Sequence, residues 1–237
     1  MKTVQRRAEA EQIRDIWMRL TWSKVLIKAG VLYVLSAVLG RMLFFCTEML
    51  FGVGEDQLLF SIYQNIILAV LVVKYWQYEG YDLRFFFCRL KMRDIALSVL
   101  AGIGICIVLL LASREMNVLW PQHLTTQRII ATAEQARSWQ TIAKVCFLGV
   151  IAAPVSEEIL FRGFLYQGLA EIIDKRYACV WTSVLFGALH FDLYRFAFLT
   201  MAAVFLNILR EKNGSLYSSM IAHATWNALM LGLAFWI

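Results

Sequence analysis

The residues best suited to chemistry in this sequence are two adjacent glutamates inside a long apolar run. Glu157 and Glu158 follow Pro154 and precede Arg162. Glu158 and Arg162 are four residues apart, so on a helix they share a face in the order that favours an ion pair. Glu157 points about 100° away from Glu158. Pro154 cannot donate to the carbonyl of Val150, which predicts a kink before the pair. Arg162 is thus expected to fix Glu158 and to leave Glu157 free to face a cavity, and two close carboxylates suit general-base chemistry.

Two later apolar runs supply imidazole and amide groups at helical spacing. Phe186 and His190 are four residues apart, as are His223 and Asn227, so each pair shares one face of a helix. The remaining histidine, His123, falls in a predicted outer loop. A carboxylate and an imidazole together can activate water, and a second imidazole with an amide can donate to a developing oxyanion. This set suits hydrolysis of a peptide or amide bond without a nucleophilic side chain.

Other kinds of site fit the sequence less well. It contains neither H-E-x-x-H nor G-x-S-x-G, which weakens a zincin-type or a serine hydrolase site. Asp56, Asp82 and Asp94 lie outside the predicted spans, which disfavours an aspartyl dyad. The five cysteines form no C-x-x-C pair and indicate reduced thiols. Two alternatives stay open: a glutamate and the two intramembrane histidines can hold zinc, or the polar groups can serve as hydrogen-bond partners between helices.

The composition is that of an integral membrane protein. Hydrophobic residues make up 60% of the 237 residues and charged residues 17%, against about 45–50% and about 25% in a soluble domain. A membrane-crossing helix needs about 17–25 apolar residues. The runs near this length are 25–46, 57–78, 95–113, 141–170, 178–194, 196–210 and 216–237. The predicted fold is an all-α, polytopic membrane helix bundle of about seven transmembrane spans. It forms a single bundle over 25–237, with the catalytic half at about 140–230.

The distribution of charge predicts the orientation of the chain. The formal net charge is +6, and Lys and Arg concentrate in four segments: 1–24, 79–93, 171–177 and 210–215. Cytoplasmic segments of membrane proteins carry such an excess, so we expect a cytoplasmic N-terminus and an outer C-terminus. The basic segment 1–24 is expected to lie on an anionic membrane surface, with a solvated helix as the alternative. The positive charge is explained by topology and the lipid bilayer, so no nucleic-acid partner is expected.

At these polar residues the sequence resembles the CAAX protease and bacteriocin-processing family, also called the Abi family. This family includes the type II CAAX prenyl endopeptidases. The resemblance covers roughly 140–230, and no motif position departs from the family pattern. Its motifs stand in this order on three predicted spans: Glu157-Glu158-x-x-x-Arg162, Phe186-x-x-x-His190 and His223-x-x-x-Asn227.

The resemblance implies a glutamate-type intramembrane endopeptidase of the cell membrane. Its substrate would be a membrane-associated peptide or protein. Glu157 would be the general base, His190 would help to position and activate water, and His223 with Asn227 would form the oxyanion hole. Supporting roles would fall to three residues: Glu158, Arg162 and Phe186. No cofactor is expected, since the metal-free mechanism is favoured over a zinc-dependent one.

Two other functions remain as alternatives to a peptidase. An intramembrane set of Glu, Arg and His can form the proton relay of a small transporter. The sequence shows no internal repeat of the kind that many transporters have. The chain can also be a non-catalytic immunity or scaffold protein that binds a partner within the bilayer.

Overall fold

The computed structural model describes residues 2–52, 56–119 and 128–236. Within these residues the chain forms helices and no strand. The elements are α1 (Lys2–Phe51), α2 (Gln57–Tyr78), α3 (Leu83–Phe86), α4 (Met92–Leu119), α5 (Arg128–Gln135), α6 (Trp139–Cys146), π1 (Phe147–Ala152), α7 (Ala153–Glu158), π2 (Ile159–Leu165), α8 (Tyr166–Ala170), α9 (Lys175–Ala188), α10 (Phe196–Asn213) and α11 (Leu216–Trp236). The predicted all-α bundle is therefore confirmed. His123 lies outside the described residues.

Three described helices are long and apolar enough to cross a membrane. They are Ser23–Phe51, Gln57–Tyr78 and Met92–Glu115. Large apolar side chains cover the outer surface of these helices, as at Val31 and Val34 on α1, which are 58% and 62% exposed. Such a surface suits lipid contact and would be costly in water. The helical membrane class is thus supported, while the count of seven spans stays a prediction.

The structure agrees with the predicted runs in position and differs from them at some ends. α2 has the predicted bounds, whereas α1 continues through the boundary placed at residue 24. The assignment of 1–24 to the membrane surface stays a prediction. The predicted run 178–194 ends early, because α9 stops at Ala188 and turns follow up to Arg195. Phe191 in these turns has φ +51°, which is incompatible with a continuing helix.

Two π-helical turns flank the acidic pair. π1 ends two residues before Pro154, and π2 begins directly after Glu158. Pro154 has no N–H, so the carbonyl of Val150 lacks its usual donor four residues on. A π turn lets carbonyls pair five residues on, as the N–H of Ala153 does with the carbonyl of Leu148. The expected disturbance before the pair is present as a change of helical register.

α11 carries His223 and packs closely on α4. A Cβ placed on Gly102 of α4 would lie 2.4 Å from the carbonyl oxygen of Ala222 and 2.7 Å from Cβ of Thr225. A Cβ on Gly104 of the same helix would meet nothing within 4 Å. The absent side chain at Gly102 therefore sets the distance between α4 and the helix that bears His223.

We expect Gly102→Ala to lower the free energy of unfolding by about 1–3 kcal/mol, the usual cost of overpacking. The matched change Gly104→Ala should be neutral or stabilise by up to about 1 kcal/mol, because alanine has the higher helix propensity. Unfolding of both variants in detergent measures the difference. Equal stability of the two variants would contradict the close α4–α11 contact.

Candidate active site

Glu158 is the buried centre of the polar cluster. The residue is 0% exposed, and its Oε1 lies 3.0 Å from Nη1 of Arg162, so the predicted ion pair forms. The same oxygen lies 2.8 Å from Nδ1 of His223 on α11. A carboxylate can only accept a hydrogen bond, so His223 donates through Nδ1–H. Glu158 therefore joins α7 to α11 and fixes the orientation of the His223 ring.

Glu157 has a different environment from its neighbour. Its side chain is 27% exposed, and its Oε2 lies 3.8 Å from Nε2 of His223. His223 is thus placed between the two carboxylates, with one ring nitrogen toward each. Glu157 can reach water and Glu158 cannot, which is the separation expected from the step of about 100° between adjacent helical residues.

The Phe186 ring joins three polar groups of the cluster. It is fully buried, and its centroid lies 4.7 Å from the ring of His190 and 6.0 Å from the ring of His223. The guanidinium carbon of Arg162 lies 4.6 Å from the same centroid, a cation–π distance. Phe186 therefore brings together residues of π2, α11 and the turn after α9.

His190 reaches the cluster from outside a helix. It is exposed and lies in the turn that follows α9, two residues past Ala188. Its Nδ1 lies 2.8 Å from the carbonyl oxygen of Phe186, and because that oxygen only accepts, Nδ1 carries the proton. In the neutral ring Nε2 then has a free lone pair, which can accept a hydrogen bond from water.

Asn227 and Trp226 complete the α11 side of the site. The Nδ2 of Asn227 donates to the carbonyl oxygen of Gly149 in π1 over 2.8 Å, which leaves its second N–H for another acceptor. The Trp226 ring stacks on His223, with centroids 5.1 Å apart and planes 16° from parallel. Trp226 was not predictable from the sequence, because an aromatic residue in an apolar run carries no sign of such a contact.

Two amides in apolar runs, Asn65 and Asn207, were also not predicted as part of the polar contacts. Asn65 accepts at Oδ1 from the hydroxyl of Ser156, and this bond joins α2 to α7 one residue before Glu157. Asn207 on α10 is buried and donates to the hydroxyl of Ser183 on α9 over 3.0 Å. Both were detectable, since a polar residue in a span commonly bonds another helix.

The described side chains lack the arrangement of ligands that a metal centre needs. Among the described residues, no group of three or more His, Cys, Asp or Glu side chains is placed so that it could hold a metal ion. Glu157, His190 and His223 therefore do not form a ready zinc site, and the absence of a cofactor stays a prediction.

The comparisons with known proteins bear on this part of the chain. The family model of the type II CAAX prenyl endopeptidases, described as Rce1-like, matches residues 139–229. No curated protein and no solved structure matches the chain. The matched region begins at α6 and contains the acidic pair, His190, His223 and Asn227. The chain is thus a helical membrane protein, and its residues 139–229, less than half of its length, are similar to the Rce1-like type II CAAX prenyl endopeptidases.

Proposed function

We propose that this protein is an intramembrane endopeptidase that hydrolyses a peptide bond of a membrane-associated peptide or protein. The observation that carries the proposal is the difference in burial and partners between the two adjacent glutamates. Glu158 is buried, paired with Arg162 and bonded to His223, while Glu157 is partly exposed on the other side of the same imidazole. One carboxylate is thus committed to structure, and the other is available to take a proton.

Water is activated by Glu157 with His190 in this proposal. Glu157 takes a proton from the water as its oxygen attacks the carbonyl carbon of the substrate. Nε2 of His190 accepts a hydrogen bond from the same water, because Nδ1 is occupied by the carbonyl of Phe186. The proton held by Glu157 passes to the leaving amine when the C–N bond breaks. The net reaction adds OH to the carbonyl carbon and H to the nitrogen.

His223 and Asn227 stabilise the tetrahedral oxyanion. Asn227 contributes the N–H that is not given to Gly149. Nδ1–H of His223 is given to Glu158, so donation through Nε2 requires the doubly protonated ring. The positions of Glu157 and Glu158 on either side suit that imidazolium, since each carboxylate faces one ring N–H. Preorganised donors of this kind act strongly in a site that excludes bulk water.

The experiment that tests this function is cleavage of a membrane-associated peptide library by the purified protein, with and without a strong chelator. We expect cleavage in both conditions, and no stoichiometric metal in the purified protein, because no three His, Cys, Asp or Glu side chains among the described residues are placed to hold a metal ion. Loss of activity on chelation that is restored by added zinc would reject the metal-free mechanism. Absence of any cleavage product would favour the transporter or scaffold alternatives.

The orientation of the chain is proposed with the N-terminus in the cytoplasm, from the excess of Lys and Arg in 79–93 and the other basic segments. We expect a cysteine placed at Arg89, in a variant without the natural cysteines, to resist an impermeant thiol reagent in intact cells. A cysteine at Phe51 should react, because Phe51 is the last residue of α1, is 76% exposed and lies at the outer end of this membrane-crossing helix in the proposed orientation. Reaction at position 89 and protection at position 51 would reject this orientation and support the inverted one.

A further inference from the structure

A cavity of about 170 Å³ lies at one end of the bundle, between α1, α2 and α8. Its lining includes Lys28, five residues into the span that begins at Ser23, and Glu79, directly after the span that ends at Tyr78. Glu171, directly after α8, lines the same cavity. Both spans meet the membrane boundary at this end, so the cavity lies at the level of lipid headgroups. None of these residues belongs to the candidate active site.

The walls of the cavity combine carboxylates with aromatic rings. Nζ of Lys28 lies 3.2 Å from Oε1 of Glu79 and 5.1 Å from the ring centroid of Tyr75. Hydrogen bonds from Tyr75 and Lys28 lower the pKa of Glu79 from its ordinary value, so this carboxylate is charged at neutral pH. One ammonium group is therefore already held here between a carboxylate and an aromatic face.

The second carboxylate has neutral donors. Glu171 accepts from the hydroxyl of Tyr81 at 3.1 Å and from the amide of Gln167 at 3.3 Å. Both contacts orient the carboxylate without neutralising it. Glu171 therefore offers an exposed negative charge beside an aromatic residue, the combination that Lys28 already uses at Glu79.

The charge of the cavity contrasts with its surroundings. The adjoining segment 79–93 contains four basic residues: Arg84, Arg89, Lys91 and Arg93. The cavity itself has two glutamates and one lysine among its lining residues. A purely anionic headgroup can bind the basic segment 79–93, and it makes no favourable contact with the two glutamates of the cavity. A zwitterion can place its ammonium on Glu171 and its phosphate toward Lys28.

We propose that this cavity binds the phosphoethanolamine headgroup of a membrane phospholipid. The volume of about 170 Å³ is many times the roughly 10–15 Å³ that one water needs, so a small headgroup fits. A primary ammonium can donate to Glu171 and lie over an aromatic face of the wall. The quaternary ammonium of choline has no N–H to donate. The phosphate accepts from Lys28.

The floor of the cavity connects it to the packing of π2. A Cβ on Gly163 would lie 2.3 Å from Cη2 of Trp76, so the indole rests against the glycine backbone without spare room. Trp76 in turn stacks on Phe86, with centroids 4.2 Å apart. A headgroup that fills the space beside this contact should stabilise the association of α1, α2 and α8. Thermal stability therefore reports occupancy independently of peptidase activity.

The test is native mass spectrometry of the full chain in micelles that contain equal amounts of phosphatidylethanolamine, phosphatidylcholine and phosphatidylglycerol. We expect the first lipid to be retained about tenfold over the second, the scale of one hydrogen bond to a charged group. Glu171→Gln should abolish this preference. The matched change Glu48→Gln, at the other end of α1, should retain it. The thermal midpoint should rise with phosphatidylethanolamine in wild type and in Glu48→Gln, and not in Glu171→Gln.

Soluble phosphoethanolamine distinguishes headgroup binding from binding of the acyl chains. Displacement of the lipid by soluble phosphoethanolamine, and not by phosphocholine, would assign the binding to the headgroup and support the proposal. Displacement by neither compound, or equal retention of the three lipids by wild type, would overturn it. Persistence of the preference in Glu171→Gln would also overturn it, since the ammonium would then bind elsewhere.

Discussion

Glu157→Gln should lower the rate of peptide hydrolysis by about 10²–10⁴-fold, the usual contribution of a general base. The amide keeps the shape of the side chain and cannot take a proton from water. Glu157 is 27% exposed, and its Oε2 lies 3.8 Å from Nε2 of His223, beyond hydrogen-bond distance, so the change to an amide breaks no buried hydrogen bond. The variant should therefore unfold at the same temperature as wild type. Turnover of a cleavable peptide, with a thermal melt of the same sample, measures both quantities.

The matched control for Glu157→Gln is Glu134→Gln on α5. Glu134 is exposed and stands outside the polar cluster, so the same chemical change there should leave turnover unchanged. Activity of Glu157→Gln within tenfold of wild type would place the base on another residue. Loss of activity together with loss of fold would show that Glu157 is structural, which would exchange the proposed roles of the two glutamates.

Glu158→Gln should lower the free energy of unfolding by about 3–5 kcal/mol, the usual cost of leaving one charge of a buried pair without its partner. Both members of the pair are buried, with side-chain exposures of 0% for Glu158 and 1% for Arg162. His223 loses its anionic acceptor at the same time. Denaturant unfolding in detergent measures the loss, and Arg162→Ala should give a loss of similar size.

Lys175→Gln is the matched control for a surface pair. Nζ of Lys175 lies 2.8 Å from Oε2 of Glu211, with the lysine side chain 68% exposed, so its removal should cost at most about 1 kcal/mol. The double change Glu158→Gln with Arg162→Met removes both charges and should recover much of the loss. If Glu158→Gln is as stable as the Lys175 variant and is inactive, Glu158 acts in the chemistry itself.

The local geometry of the acidic pair was predictable from the sequence. The four-residue spacing of Glu158 and Arg162 indicated their contact, and the adjacent position of Glu157 indicated a different environment. Both follow from the pitch of a helix, which needs no knowledge of the tertiary fold. The order and approximate bounds of the long apolar helices were also predictable, since a run of about 17–25 apolar residues indicates a membrane-crossing helix.

The contacts between distant segments were not predictable in this way. The bond of His223 to Glu158 depends on how α11 packs against α7, and the bond of Asn227 to Gly149 depends on the π1 register. Neither packing nor register is encoded in local spacing. The position of His190 beyond the end of α9 was missed because the apolar run continues through Phe191 and Leu193. The turn there is set by backbone and polar contacts around Asp192.

The early end of α9 has a consequence for hydration. Its 14 residues span about 21 Å, which is less than the roughly 30 Å of a hydrocarbon layer. If α9 begins at the headgroup boundary, the turn that carries His190 lies at acyl-chain depth. Irregular backbone at that depth must be covered by protein or face a water-filled space. Because His190 and Phe191 are exposed and not covered by protein, α9 at that depth would require an aqueous recess beside His190, and the solvent that satisfies this backbone would also be the reactant that hydrolysis consumes.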